Sequence, residues 1–143
     1  MNIIYKIYNN NDYEFVYKLK KEAYIDYVIK YYGVYDDNDQ RKRFDNRINE
    51  VKDNTYIIIY NNKKVGFYTI NEYKDIIELE NICILKEYQG LGIGTKVLYD
   101  IINKNKDIKL QYFKNNPVVK LYTKLGFIPD GKNKYHYKMI RRK

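Results

Sequence analysis

The sequence predicts a single α+β domain in which about four helices flank a mixed, mostly antiparallel central sheet. Segments with the two-residue period of strands alternate with segments that carry apolar residues every three or four positions, as amphipathic helices do. The chain has 143 residues, a length that suits one domain with a proper core and is too short for two. Since no repeat, linker or low-complexity run divides it, we expect one domain over residues 1–143.

The N-terminal segments predict a strand followed by a long helix. Residues 3–8 alternate as a strand does. The helix should run from about residue 12 to residue 32, with Asp12 able to cap its start and Gly33 ending it. Its apolar residues recur at spacings of three and four, and they are Val16, Leu19, Ala23, Tyr27 and Tyr31.

A second helix is predicted after an acidic segment, residues 36–39. We expect one of these aspartates to be its N-cap. A second role is open for the surplus carboxylates, which would attract a cationic amine substrate. The residues that this helix should bury are Phe44, Ile48 and Val51.

The middle of the chain predicts an antiparallel meander. Its strands are expected over residues 55–60, 65–72 and 76–85, and residues 61–64 form the first turn between them. A third helix should then bury one stripe of apolar side chains. These side chains are Ile93, Val97, Leu98, Ile101 and Ile102.

The C-terminal segments predict a strand, a short helix and a last strand. The first strand includes residues 108–112. The helix begins at Asn115-Asn116-Pro117 and is ended by Gly126. The last strand should run from about residue 134 to residue 140.

A glycine-rich stretch between the third predicted strand of the meander and the third helix is the strongest functional signal. Gly90, Gly92 and Gly94 allow a tight turn, and the helix that follows points free N–H groups at the ligand, so an anion is expected. A dinucleotide fingerprint would require glycine at the position of Thr95. A Walker A loop would require lysine before the hydroxyl residue, whereas Lys96 comes after it. Both of these phosphate motifs are therefore excluded.

The remaining pattern, Gln89-x-x-Gly92-x-Gly94, resembles the pyrophosphate-binding motif of the GNAT acyltransferases. A second stretch, Asn115-x-x-Val118-x-x-Leu121-Tyr122-x-x-x-Gly126-Phe127, is similar to another signature of that family, which usually has alanine where Val118 stands. The order of the predicted segments also resembles the GNAT fold. This resemblance implies an N-acetyltransferase that uses acetyl-CoA as its cosubstrate and acetylates an amine within a ternary complex.

The resemblance also implies which residues bind the cofactor. Backbone amides of the glycine-rich turn would hold the pyrophosphate, while Gln89 would orient the turn. The preceding strand would expose backbone groups to the pantetheine arm, and Asn115 would contact the pantetheine or cap its helix. The cofactor residues are thus Ile82, Cys83, Ile84, Gln89, Gly90, Leu91, Gly92, Ile93, Gly94, Thr95, Asn115 and Tyr122.

Three residues are predicted to carry the chemistry. Tyr122 would be the general acid, because a phenol is protonated at neutral pH and can give its proton to the departing thiolate. Glu78 and Glu80 are the possible bases, with water as the alternative. By strand alternation they should share one face with Ile82 and Ile84 if no bulge intervenes. The thiol of Cys83 is expected to be a core residue without an acyl-carrying role.

Composition narrows the possible partners. The net charge is +9, from 27 Lys+Arg and 18 Asp+Glu, but Lys, Asn, Ile and Tyr share AT-rich codons, so a biased genome explains much of this excess. One cysteine and one histidine leave no Cys/His metal site, and no metal is expected. No apolar run would span a membrane. We expect a cytoplasmic protein with a small-molecule or peptidic amine substrate, a possible homodimer, and no membrane partner.

Two other readings of the same fold stay open at this point. One is a basic nucleic-acid- or ribosome-associated module, although nucleic acid is an unlikely partner by the codon argument. The other is a non-catalytic CoA-binding regulator. The acceptor amine, the preferred acyl chain and the oligomeric state are not readable from the sequence.

Overall fold

The computed structural model describes all residues from 1 to 143. Its four α-helices are α1 (Tyr13–Tyr32), α2 (Asp37–Val51), α3 (Ile93–Ile102) and α4 (Val119–Lys124). Its seven strands are β1 (Ile3–Ile7), β2 (Thr55–Tyr60), β3 (Lys63–Glu72), β4 (Ile76–Ile84), β5 (Asp107–Phe113), β6 (Ile128–Lys132) and β7 (His136–Arg141).

The strands form one sheet in the order β1-β2-β3-β4-β5-β7-β6. The pairs β1–β2, β2–β3, β5–β7 and β6–β7 are antiparallel. Strands β4 and β5 are parallel, with α3 in the connection between them. This arrangement confirms the predicted α+β class and the mixed, mostly antiparallel sheet.

The seventh strand, β6, was not expected from the sequence. Its five residues are all exposed, so no apolar alternation marks them. Pro129 and Gly131 lie within it, and its register to β7 shifts between Pro129 and Lys132. Proline and glycine in a strand are tolerated mainly at an edge or a bulge, and β6 is an edge strand of the sheet. The predicted last strand is thus one half of a hairpin.

The chain divides into two compact units. Unit 1 comprises Met1–Thr69 and Asn81–Leu91, and unit 2 comprises Ile70–Glu80 and Gly92–Lys143. In unit 1, side chains of α1 and α2 pack with residues of the strands in one apolar cluster. Its members include Val16, Tyr17, Leu19, Phe44, Ile48, Val51, Ile57, Phe67 and Cys83. The residues predicted to be buried on the second helix are thereby confirmed.

Helix α1 buries less of its length than the spacing predicts. Val16 and Leu19 are buried, but Ala23 is exposed and Tyr27 is only partly buried. The cap also differs, because the side chain of Asp12 makes no capping hydrogen bond to α1. Its Oδ2 instead accepts a hydrogen bond from the backbone N–H of Asn9 (3.0 Å) in the preceding turn. The fully buried residues of α1 therefore all lie in its first two turns, and farther along the helix Tyr24 packs against the same cluster while only partly buried.

The acidic segment before α2 has structural partners. Asp36 is the N-cap, and its Oδ1 accepts from the N–H of Asp39 (3.0 Å), as predicted. Asp37 accepts hydrogen bonds from the hydroxyl of Tyr17 (2.7 Å) and from Lys21 (3.2 Å). These donors lower the pKa of the Asp37 carboxyl. The contacts favour capping and helix docking over recruitment of an amine.

Unit 2 has its own set of buried apolar residues. Helix α3 buries Ile93, Val97, Leu98 and Ile101, which confirms most of the predicted stripe. On the strands, Ile77, Leu79, Ile108 and Leu110 are buried in two facing pairs of the β4–β5 ladder. No helix of the chain combines the length and the apolar character that a membrane crossing requires.

Candidate active site

The glycine-rich turn that leads into α3 has the conformation that only glycine adopts readily. Gly90 has φ of 79° and Gly92 has φ of 87°, both in the left-handed region where a Cβ atom is unfavourable. The side-chain amide of Gln89 donates a hydrogen bond to the carbonyl of Ile84 (2.9 Å). This bond joins the end of β4 to the turn, and it supports the prediction that Gln89 orients the turn.

Helix α3 begins without a side-chain cap. Gly92 is its N-cap residue and supplies no side-chain acceptor. The N–H of Lys96 donates to the carbonyl of Gly92 (3.0 Å), and the N–H groups of Ile93, Gly94 and Thr95 precede that first helical bond. Such groups, together with the positive end of the helix dipole, favour an anion. A Cβ atom added to Gly94 would meet no protein atom within 4 Å, so a ligand has room there.

The ladder between β4 and β5 covers only part of β4. It runs from Ile76↔Asp107 to Leu79↔Leu110, although β4 continues to Ile84. The predicted cofactor residues 82–84 therefore lie beyond the parallel ladder. Ile82 and Ile84 are partly buried, and Cys83 is buried.

Both predicted glutamates meet at one asparagine that the sequence did not reveal. The side-chain amide of Asn71, on β3, donates to Glu80 Oε1 (3.1 Å) and more weakly to Glu78 Oε1 (3.5 Å). Asn71 is only 8% exposed. Buried amides are normally hydrogen-bonded, and the two hydrogen bonds from Asn71 hold both carboxylates beside its side chain. Its signal in the sequence is a polar residue at the end of the buried, mainly apolar run of β3, residues 65–71.

The alternation of side chains along β4 shifts between the glutamates and Cys83. Asn71 and Phe67 have the same parity on β3, so the glutamates that Asn71 contacts point to the side of Phe67. Cys83 packs in the same cluster as Phe67, although its parity along β4 is opposite to theirs. Ile84 approaches Gly66, which points to the other side. The prediction that the glutamates share one face with Ile82 and Ile84 assumed a strand without a bulge, and the contacts of Cys83 and Ile84 indicate a bulge-like shift, so its condition is not met.

Gly66 provides the space for this shifted backbone. A Cβ atom at Gly66 would lie 2.4 Å from the carbonyl oxygen of Cys83 and 2.9 Å from Cδ1 of Ile84. The N–H of Leu85, which follows Ile84, donates a hydrogen bond to the carbonyl of Val65, which precedes Gly66 (2.8 Å). Only glycine allows β3 and the end of β4 to approach so closely. This role of Gly66 was not predicted.

Tyr122, the predicted general acid, is buried on α4 with 6% of its surface exposed. Its ring packs against Phe127 with centroids 5.5 Å apart and against Tyr112 at 6.2 Å. The carbonyl of Tyr122 also accepts from the N–H of Phe127 (3.0 Å). Contacts with Phe127 and Tyr112 thus restrict the position of the Tyr122 ring.

The turn before α4 is built around two asparagines. Asn116 Oδ1 accepts a hydrogen bond from the N–H of Val118 (3.0 Å). Asn115 is exposed and has φ of 73° in the left-handed region, which asparagine tolerates better than most residues. The N-cap residue of α4 is Val118, and no side chain makes a capping bond there. Asn116 thus stabilises the turn ahead of the helix, Asn115 supplies the left-handed residue of that turn, and the contact of Asn115 with pantetheine stays a prediction.

The surroundings of Cys83 and His136, two residue types that often take part in catalysis, favour a structural role for both. Burial raises the pKa of the Cys83 thiol to about 12, and the thiol lies 3.8 Å from the hydroxyl of Tyr24. A protonated, buried thiol is a poor nucleophile, in agreement with the core role expected of Cys83. His136 stacks on Phe113 with centroids 4.3 Å apart, and burial lowers its pKa.

Comparison with known proteins gives a family match and many structural likenesses. Residues 52–129 match the family described as the acetyltransferase (GNAT) domain, which covers more than half of the chain. No curated protein sequence matches significantly.

Among solved structures, the PaiA N-acetyltransferase of Thermoplasma acidophilum, crystallised with coenzyme A, is similar over 100% of both chains (TM-score 0.74, 18% identity). The protein PH1933 of Pyrococcus horikoshii matches over 99% of both chains (TM-score 0.76, 22% identity). An N-acetyltransferase of Staphylococcus aureus matches over 96% of this chain and 99% of its own (TM-score 0.74, 17% identity). At these identities the likeness establishes a shared fold.

Proposed function

The chain belongs to the GNAT acetyltransferase family, a class of acetyl-CoA-dependent acyltransferases, and on this premise we propose that residues 1–143 form one N-acetyltransferase domain. It transfers the acetyl group of acetyl-CoA directly to a primary amine of a small molecule or peptide. The observation that carries this proposal is the uncapped start of α3 behind a left-handed glycine turn.

The pyrophosphate of CoA would be held by main-chain groups. The N–H groups of Ile93, Gly94 and Thr95 lie ahead of the first helical bond of α3, and two negative charges at a helix N-terminus are stabilised by its dipole. Leu91 and Gly92 are exposed beside them. No cationic side chain is required for this grip.

The thioester would lie along the part of β4 that continues beyond the β4–β5 ladder. Residues 82–84 offer main-chain donors and acceptors there, which support pantetheine binding and polarisation of the acetyl carbonyl. The role of Gly66 fits this assignment, because its missing Cβ leaves room for the shifted carbonyl of Cys83.

Glu78 and Glu80 would receive the proton of the attacking amine, either directly or through water. The amine nitrogen forms a bond to the acetyl carbon, the carbon–sulfur bond breaks, and the nitrogen loses a proton. Asn71 would be a positioning residue, since its amide donates to both carboxylates and would keep them turned to the same place. Two acceptors at one place suit proton removal from an ammonium substrate.

Tyr122 would supply the proton that the CoA thiolate takes up. Its ring is held by Phe127 and Tyr112, so the hydroxyl has little freedom to move. Fixed geometry is what a general acid needs.

The decisive experiment combines ligand binding with turnover. Acetyl-CoA at 100 times its dissociation constant should raise the free energy of unfolding by about 2.7 kcal/mol, measured as an increase in Tm. CoA release with a panel of amines should follow. A protein that is stabilised by RNA but not by acetyl-CoA would instead be a nucleic-acid module. One that binds acetyl-CoA and acetylates no amine would be a regulator.

A further inference from the structure

The basic charge of the chain is concentrated in its C-terminal part. Residues 104–143 contain 12 Lys+Arg and 2 Asp+Glu, a net charge of +10, whereas the whole chain has +9. A genome rich in AT codons enriches lysine throughout a sequence, so this bias explains the total and not the location. The concentration of basic residues in this part of the chain therefore needs a separate explanation.

Two of these lysines lie on the same side of the sheet as a proposed catalytic glutamate. In the parallel ladder Lys109 of β5 is directly opposite Glu78 of β4. Lys138 of β7 is opposite Gln111 of β5, which alternation places on the same side as Lys109. All four side chains are exposed. Unit 2 therefore presents a polar strip that runs from an acidic end to a basic end.

The charges of this strip are not neutralised within the protein. Lys104 and Lys106 pair with Glu72 at 3.4 and 2.9 Å, but neither lysine of the strip makes an ion pair. The carboxylate of Glu78, opposite Lys109 in the ladder, accepts a hydrogen bond from the amide of Asn71 (3.5 Å). Two unmatched cations beside two carboxylates held by one amide form a surface suited to a ligand with both signs of charge.

We infer that the acceptor is an amine that also carries a carboxylate or a phosphate group. This inference rests on the proposed function: the amine lies at Glu78 and Glu80, and the anionic group lies at Lys109 and Lys138 with Gln111 as a further donor. Neighbouring strands are about 4.8 Å apart and residues on one side are about 6.6 Å apart. The two charged groups of the acceptor are therefore separated by a few covalent bonds. A polyamine would place a second cation against the lysines and is disfavoured.

Matched pairs of amines test the inference. The pairs are 4-aminobutyrate with butylamine and phosphoethanolamine with ethanolamine, and putrescine serves as a dication. We expect kcat/KM to be roughly tenfold higher for the anionic member of at least one pair, equivalent to about 1.4 kcal/mol. A preference within the first pair alone identifies a carboxylate, and a preference within the second alone identifies a phosphate.

The double variant Lys109→Gln, Lys138→Gln should remove this preference by raising KM for the anionic amine, with kcat little changed. Its control is Lys124→Gln, Lys132→Gln, which removes the same charge from α4 and from β6, where Lys132 pairs with Tyr137 on the other side of the strands. The control should keep the preference.

Four results would overturn the inference while leaving the proposed function intact: acetylation without preference, preference for the neutral amines, preference for putrescine, or an equal loss in the control. If acetyl-CoA binds and neither these amines nor a panel of peptides is acetylated, the proposed function fails and the inference fails with it.

Discussion

The proposed cofactor site and the proposed acceptor site consist of different chemical groups. In our proposal the cofactor would be bound by the main chain, at the left-handed turn of Gly90 and Gly92 and the open first turn of α3. The acceptor would be bound by side chains, namely the two glutamates that contact Asn71 and two lysines on the neighbouring strands. A site made of main-chain groups requires positions without side chains, so glycines at a fixed spacing reveal it in the sequence. A side-chain site depends on strand register, which leaves no such mark.

The largest expected effect comes from filling the space at Gly94. A Cβ atom there would meet no protein atom within 4 Å, so we expect Gly94→Leu to fold normally and to gain slightly from the higher helix propensity of leucine. It should weaken acetyl-CoA binding about 100-fold or more, because the side chain occupies the place of the pyrophosphate. Calorimetry and Tm measure the two effects separately. Gly94→Ala should show a smaller loss, and unchanged affinity in both variants would refute a main-chain cofactor site.

Tyr122→Phe should lower kcat about 100-fold with little change in the KM for acetyl-CoA, the size of a typical general-acid contribution. The phenyl ring keeps its packing on Phe127, so stability should change little. Steady-state kinetics at saturating acetyl-CoA provides the measurement. Tyr112→Phe, which alters a neighbouring tyrosine, is the matched control, and equal losses in the two variants would argue against a specific proton donor.

Gly66→Ala should reduce the free energy of unfolding by about 2 kcal/mol, as overpacking of a buried site does. The added Cβ would lie 2.4 Å from the backbone carbonyl of Cys83, which has no freedom to swing away. Urea unfolding measures the loss. Gly94→Ala is the control at an uncrowded glycine, and a neutral result for Gly66→Ala would show that β4 relaxes easily.

The double variant Glu78→Gln, Glu80→Gln should lower kcat/KM about tenfold at neutral pH, which corresponds to about 1.4 kcal/mol. The effect is smaller than that for Tyr122→Phe because water can also receive the amine proton. The Asn71 amide can still donate to the glutamine carbonyls, so the geometry is largely kept. A pH profile of kcat/KM provides the check, and a profile identical to that of the parent would assign the proton to water alone.

The smallest expected effect concerns an acidic residue outside the site. Hydrogen bonding and ion pairing with Lys106, and then Lys104, lower the pKa of Glu72 below its ordinary value of 4.5. A carboxyl with a lowered folded pKa stabilises the protein above its unfolded pKa, and the stabilisation is lost as pH falls through the folded pKa. Because the side chain is 37% exposed, Glu72→Gln should lose only about 0.5 kcal/mol at pH 7 and nothing in strongly acidic solution. Urea unfolding at both pH values, with Glu87→Gln as an unpaired control, measures the difference.

Sequence patterns were sufficient where local chemistry decides the structure. The glycine spacing predicted the turn and the start of α3, and the apolar spacing predicted the buried side of α2, because both depend on residues close together in the chain. The same is true of the short helix that carries Tyr122. Strand β6 was missed because an exposed edge strand needs no apolar pattern.

Features that depend on how two strands are aligned could not be predicted from the sequence. Nothing near Glu78 in the sequence indicates that Asn71 will lie between the glutamates. The shift in β4 is visible only through what the glutamates, Cys83 and Ile84 contact, and its cause, Gly66, lies on another strand. Strict alternation, the condition on which Ile84 was predicted to share a face with the glutamates, therefore does not hold along the whole of β4.

The open first turn of α3 also gives the protein an internal reporter of its own occupancy. Amide hydrogens without an acceptor exchange with solvent deuterium almost as fast as in an unfolded chain, whereas those deeper in a helix exchange slowly. The amides of Ile93, Gly94 and Thr95 should thus be labelled within seconds in the free protein. When phosphate oxygens accept from them, their labelling should slow, so that mass spectrometry of one peptide follows the cofactor as it enters and leaves.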